Sequence, residues 1–233
     1  MAFNNPIRFI DPDGMAPIER DKDGNIIATS IDKVDDQNNT RTINGADGSS
    51  IKLSYGYANI YADDGTAIEV QQITGATYTN GETSIDILAK GKSFPSLDVA
   101  ANCHGLTFAD GKFVIDNDAA ATILKRDGYK ETTNVKDGTV AVISEGEPNQ
   151  PGAIWHSARN SSTGFVQKDD IGKSSSGNKL DDVRNYNSAG SRSSTLSTTL
   201  YDKTRPDKVV NTNAGSVQRG VRMLTSSERD KIK

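Results

Sequence analysis

Between residues 16 and 95, apolar and polar positions alternate in short runs, and turn-forming pairs interrupt the runs at close intervals. Lys22-Asp23-Gly24-Asn25 precedes Ile26-Ile27, and Ala62-Asp63-Asp64-Gly65 separates Ala58-Asn59-Ile60-Tyr61 from Thr66-Ala67-Ile68-Glu69-Val70. Asp-Gly between alternating apolar residues signals a hairpin, because Gly accepts the positive φ that tight turns require. Asn44-Gly45 and Asn80-Gly81 mark two further turns. The pattern predicts a β-rich meander of short strands, with no cluster of reactive side chains.

At Ser96 the pattern changes, and residues 96–172 read as a compact α+β unit. Asp116–Gly128 is the best helix in the chain: Asp and Asn open it, Ala, Ile and Leu fill it, Lys125-Arg126 lie in its last turn and Gly128 stops it. Gly138–Ile143 reads as a buried strand. Ala153–Asn160 and Phe165–Asp170, joined by Ser161-Ser162-Thr163-Gly164, read as a hairpin. From Lys173 to Thr199, 8 of 27 residues are serine, which predicts a long loop or a disordered stretch. In the same extension, 173–233, Leu200–Val210 is a candidate strand and Ser226–Lys233 a candidate terminal helix.

Composition narrows the functional classes. The chain has 233 residues, of which 34% are apolar and 25% charged, and its mean hydropathy is -0.59. No run approaches the ~18 apolar residues of a spanning helix, so no membrane span is expected. A single Cys excludes an intramolecular disulfide framework or a Cys-rich zinc module, and two His make a His-built metal site a poor expectation. No cofactor is expected, since phosphate-loop and dinucleotide fingerprints are missing. The net charge of -4 hides an asymmetry. Residues 173–233 carry 12 Lys and Arg against 6 Asp and Glu, a net of +6, which leaves -10 for residues 1–172. A basic tail suits nucleic acid or an acidic partner. The start of the chain lacks a secretory signal.

One constellation has the residue types for covalent chemistry. Cys103 follows the capping-type Asn102 and opens a short helical turn, where a helix dipole favours the thiolate. A thiol nucleophile needs a base, and His156, 53 residues later on a strand, is the candidate. Alternation along that strand places Ile154, His156 and Ala158 on one face, with Trp155 and Ser157 on the other. A third group must fix the imidazole tautomer. The returning strand offers Gln167, Asp169 and Asp170, and Asp169 or Asp170 is preferred. His104 is the competing base, disfavoured because neighbours on a helix point about 100° apart. Asn102, His104, Gly105 and Trp155 complete the candidate substrate and oxyanion pocket, together with the Cys103 amide. Against this stands the ordinary behaviour of an unpaired Cys, which is that of a small buried hydrophobe.

Two resemblances sharpen the reading. Asn5-Pro6-Ile7-Arg8-Phe9-Ile10-Asp11-Pro12-Asp13-Gly14 resembles the motif that closes the core of Rhs/YD-repeat proteins. The resemblance implies that residues 1–15 are the tail of that core and that a C-terminal toxin domain follows. It further implies delivery through the Rhs shell by a bacterial export system, secretion or injection into a target cell, and a cognate immunity protein as partner. Asn102-Cys103-His104-Gly105, the helix, the Gly-x-Val-x-Val strand and the strand carrying His156-Ser157 are similar to the papain-like fold in its NlpC and CHAP branches. That similarity, over about Asp98–Gly172, implies a helix packed on a small antiparallel sheet. It also implies Cys103 as nucleophile, His156 as base, Asp169 or Asp170 as orienter, and peptidoglycan or a protein as substrate. The branch has Asp where Asn102 and Thr139 stand here. The competing expectations are a nuclease using the basic tail, His156 or His104, and Asp202 or Asp207, and a binding module with a structural Cys. A deaminase is disfavoured, because its His-x-Glu and Pro-Cys-x-x-Cys elements are missing.

Overall fold

The structure, a computed structural model, describes residues 19–31, 33, 39–88, 98–148, 150, 152–168, 172, 174–185, 196–204 and 222–224. In chain order the elements are β1 (Ile27–Ile31), β2 (Thr40–Asn44), β3 (Ser50–Tyr61), β4 (Ala67–Asn80), β5 (Thr83–Asp86), α1 (Cys103–Phe108) and α2 (Asn117–Arg126). There follow β6 (Tyr129–Glu131), β7 (Val140–Glu145), β8 (Ile154–Ser161), β9 (Gly164–Gln167), β10 (Ser175–Asn178), α3 (Leu180–Arg184), β11 (Leu196–Lys203) and β12 (Arg222–Leu224). The protein is a strand-rich α/β mixture built on two sheets that are antiparallel except at one edge. The motif at residues 5–14 and the candidate helix Ser226–Lys233 lie outside the described residues.

The first sheet has the order β12-β1-β3-β4-β5, with β2 also on β3; only β12 runs parallel, beside β1. Its spine is the long β3–β4 hairpin, in register from Ser50↔Thr79 to Tyr61↔Ala67 with one irregularity after Ser54. The turn at its tip closes through Ala62 and Gly65, and Gly65 takes φ 83° there. Gly24 at φ 79° and Gly81 at φ 57° serve the other expected hairpins. The second sheet runs β10-β9-β8-β7-β11-β6, antiparallel throughout.

Both sheets close on one core. Ile26, Ala28, Ala58, Ile60, Ile68 and Val70 of the first sheet and its approach share a cluster with Phe108 of α1 and Ile123 and Leu124 of α2. Val140, Val142, Ile154 and Tyr201 of the second sheet complete it. α1 and α2 therefore sit between the sheets, with α2 capped by the Asp116 carboxylate on the Ala119 N–H. The far face of the second sheet has its own cluster of Ala141, Ile143, Ala158, Phe165 and Leu200, covered by Val183 of α3.

Two expectations are corrected. The stretch 173–199, expected as a long loop or a disordered stretch, contains β10, α3 and the start of β11. Among its described residues the apolar side chains Leu180, Val183 and Leu196 are the ones that pack on the far-face cluster. The strand expected at Leu200–Val210 begins earlier, at Leu196, because its backbone pairs with β7 from Leu196↔Glu145 onward.

A buried charge cluster joins the hairpin tip to the second sheet. The Asp127 carboxylate at the C-cap of α2 accepts from the Asp63 N–H at 2.7 Å and lies 3.2 Å from the Lys203 ammonium of β11. Burial pushes the Asp127 carboxyl up to about 7, because desolvation and the neighbouring Asp63 charge outweigh the attraction of Lys203.

Two predictions follow from this packing. Ile60 is fully buried, so Ile60→Ala costs about 2–5 kcal/mol. With one shared core, native-state amide exchange on β7 of the opposite sheet then accelerates about 30-fold or more, as that energy requires; unchanged exchange there would mean the sheets open independently. For Asp127, a raised folded-state pKa means a stabilising contribution that is complete below about pH 4 and lost as pH rises to about 7. The melting temperature of the wild type, measured relative to Asp127→Asn, falls over that window and then levels. A flat difference would refute the raised pKa.

Candidate active site

Cys103 owes its place to Asn102. The Asn102 Oδ1 accepts from the Gly105 N–H at 2.9 Å, which caps α1, and also from the Ile115 N–H at 3.1 Å. Its Nδ2 donates back to the Ile115 carbonyl at 2.7 Å. One side chain thus starts the helix that carries the thiol and clamps it to the strand-like segment before α2. That segment is anchored in turn, since Val114 exchanges both backbone hydrogen bonds with Gln71 of β4. Gly105 is required for the approach: a Cβ there would lie 1.7 Å from the Phe113 carbonyl oxygen and 2.9 Å from the Ala101 Cβ. Asn102 and Gly105, expected in the substrate pocket, act here as the clamp and the contact point of α1.

The second half of the site comes from β8. Ser144 pairs with Ile154 and Ile143 with His156, so Trp155 is the extra residue of a β-bulge. The expected simple alternation therefore fails. Ile154 belongs to the core between the sheets whereas Ala158 belongs to the far-face cluster. Beyond the bulge His156 is in phase with Ala158, and Ser157 with the side of Ile154 and α1. Trp155 is 56% exposed, next to the imidazole that the bulge re-aims.

The structure brings Cys103, His104 and His156 together. His156 is buried, and its Nε2 lies 3.3 Å from the Oε1 of Gln167, the last residue of β9. Gln167 occupies the position of the third group. Asp169 and Asp170, preferred for that role from the sequence, lie outside the described residues. An amide oxygen only accepts, so this contact places a hydrogen on Nε2 and makes Nδ1 the basic nitrogen. Lys168, buried next to Gln167, donates from its ammonium to the Asp98 carbonyl at 2.7 Å and ties the end of β9 to the approach to Cys103.

His104 is also buried, with Nδ1 2.8 Å from the Ser157 Oγ and Nε2 3.1 Å from the Asn117 Oδ1. Sequence reasoning passed over both partners. Asn117 was visible only as a helix-start residue, and Ser157 was placed on the wrong face because the bulge leaves no compositional mark.

The electrostatics follow from this grouping. Burial pushes the Cys103 thiol up, but the charge and hydrogen bonding of His104, followed by those of His156, pull it well below its usual range. Burial likewise pushes the His104 imidazole down. The Cys103 charge and the contact with Asn117 outweigh that and raise it. The arrangement favours a thiolate with a protonated imidazole beside it, which is the chemistry of an activated sulfur nucleophile.

The other expected candidates are placed differently. Thr139 donates to Asp202 at 2.8 Å, and Asp202 also pairs with Lys136 at 2.9 Å, so Asp202 belongs to a structural cluster at the start of β7. Asp207 lies outside the described residues. Among the described residues there is no group of three or more His, Cys, Asp or Glu side chains arranged to hold a metal ion, and no helix is long and apolar enough to cross a membrane. Comparison of the chain with protein-family models, curated proteins and solved structures finds no match.

Removing the Asn102 clamp tests the construction of the site. Asn102→Ala should lower stability by about 1–2 kcal/mol from the lost cap, measured by urea denaturation, and should slow alkylation of Cys103 at neutral pH. An unaltered denaturation midpoint would show that α1 holds its place without the clamp.

Proposed function

We propose that the protein is a thiol-dependent amide hydrolase of papain-like type, with Cys103 as nucleophile and His156 as general acid and base. The single observation that supports it is a half-buried thiol at the start of a helix, within the influence of an imidazole whose far nitrogen is held by a strand-end amide. In this reading Gln167 fills the orienting role, keeping the hydrogen on Nε2 so that Nδ1 exchanges protons with the substrate.

The Cys103 thiolate attacks the amide carbon, and the oxyanion is met by the Cys103 N–H, one of the first-turn donors with no partner inside the helix. The C–N bond breaks as protonated His156 gives its proton to the departing amine. A thioester remains. Water then attacks the thioester carbon, His156 takes a proton from that water, and the C–S bond breaks to release the acid and restore the thiolate.

The biological setting rests on the resemblance of residues 5–14 to the Rhs core motif and of Asp98–Gly172 to the NlpC and CHAP branches. We place the chain as the toxin end of a bacterial effector, delivered by an export system and neutralised by an immunity protein. The peptide stems of peptidoglycan are the first substrate class, and proteins of the target cell the second.

Purified peptidoglycan incubated with the intact chain should yield new free amines and carboxylates detectable by mass spectrometry. Cys103→Ala and His156→Ala should each reduce the yield about 100-fold or more. If peptidoglycan is untouched, the same measurement on a protein mixture is the second arm. Amide cleavage that survives Cys103→Ala, or its absence in both arms, would sink the proposal. Nucleic-acid breakdown that survives Cys103→Ala would favour a nuclease.

A further inference from the structure

We propose that His104 is a positioning residue of the site: a second imidazole, caged by Asn117 and Ser157, whose charge stays against Cys103 while His156 moves the proton. This rests on the thiol-hydrolase reading and assigns a part of that site which the Cys–His pair leaves unexplained.

The cage holds the imidazole in one place and satisfies it as a cation as well as in its neutral form. Asn117 Oδ1 can only accept, so the 3.1 Å contact fixes a hydrogen on His104 Nε2. Ser157 Oγ, 2.8 Å from Nδ1, serves two states. Its hydroxyl donates to Nδ1 when the ring is neutral, and it accepts from the Nδ1 hydrogen when the ring is a cation. In neither state is a buried polar atom of the ring left without a partner, and an unmade bond there would cost about 1–3 kcal/mol. A fully buried imidazole with only one of these partners would be held neutral by desolvation.

The surroundings decide which state is used. Cys103 on α1 and Asp116, the N-cap of α2, are the groups of negative charge that act on His104, and His156 on β8 is the other site of positive charge at the thiol. Asp116 accepts from the Ala119 N–H as the N-cap of α2. The thiolate and the caged cation therefore support each other.

The two histidines also divide the work by geometry. Both ring nitrogens of His104 are engaged by fixed side chains, which suits a stationary charge. His156 sits at a bulge with its Nε2 against Gln167, and the proton transfer proposed above is assigned to its Nδ1. The objection that a residue next to the nucleophile cannot reach its sulfur as a base is met, since a stationary charge need only be near.

The test is the pH dependence of Cys103 alkylation by iodoacetamide in the intact chain, with thermal melting as control. Wild type should keep a thiolate well below the free-thiol midpoint of about 8.5. His104→Gln should raise the midpoint by about one unit or more, so that alkylation at a pH below both midpoints slows about tenfold. Ser157→Ala, which leaves the neutral ring satisfied at Nε2 but removes the acceptor for the cation, should shift it in the same direction. A histidine that only fills space would leave the midpoint alone. A shift in His156→Ala with none in His104→Gln overturns the role of His104 and leaves the hydrolase reading standing. A shift in His104→Gln with none in His156→Ala overturns His156 as the proton carrier, and no shift in either overturns both. Should His104→Gln fail to fold, Ser157→Ala decides: an unmoved midpoint overturns the cage.

Discussion

Three hydrogen bonds from one amide hold the site together. Asn102 caps α1 through Gly105 and grips both backbone groups of Ile115, and nearly everything around the thiol depends on that grip. Downstream of Ile115 come Asp116, which caps α2, and Asn117, which holds His104. Upstream of it, Val114 is hydrogen-bonded to β4. The clamp therefore fixes the thiol relative to the first sheet, the second helix and the caged imidazole at once. An Asp here could accept the same two bonds but could not donate to the Ile115 carbonyl, so the amide is the side chain that completes the set.

Burial by itself would disarm this site. A thiol and an imidazole moved out of water both favour their neutral forms, and neutral neighbours would make an inert, well-packed corner. The sulfur here meets two imidazoles, so the loss of solvation is offset by charges that the fold has already placed. The opposite outcome appears at Asp127. Lys203 and the Asp63 N–H oppose burial there, but the Asp63 charge adds to it, and the carboxyl is pushed toward its neutral form. The difference is the like charge beside Asp127, where the charges that act on the thiol are those of imidazoles.

The sequence was most readable where one local rule decides the structure. The Asp-Gly and Asn-Gly turns, the capped helix α2 and the hairpin of β8 and β9 each follow from a few adjacent residues. Cys103 and His156 were legible as chemistry-bearing types, and the helix start at Asn102 as a cap. The structure of 173–199 was hidden because β10 rests on backbone pairing with β9, and α3 contributes only Leu180 and Val183 to a cluster built by other strands. Too few apolar residues stand there to show a period. The pairing of His156 with Gln167 and of His104 with Ser157 was hidden for another reason: both depend on strand phase, which side-chain composition does not encode.

That phase is set by one residue. Because Trp155 is the extra member of the bulge, the segment up to Ile154 and the segment from His156 onward keep separate accounts of which side is in and which is out. Loss of Trp155 would leave Ile154 opposite Ser144 and His156 opposite Ile143 in one unbroken alternation, and the irregularity beside the imidazole would vanish. The strand would still be a strand and its core would still be apolar, yet the bulge that aims His156 would be gone. Length in this part of the chain is therefore constrained more tightly than composition, and a Trp side chain that buries little of itself is held in place by the need to count to one.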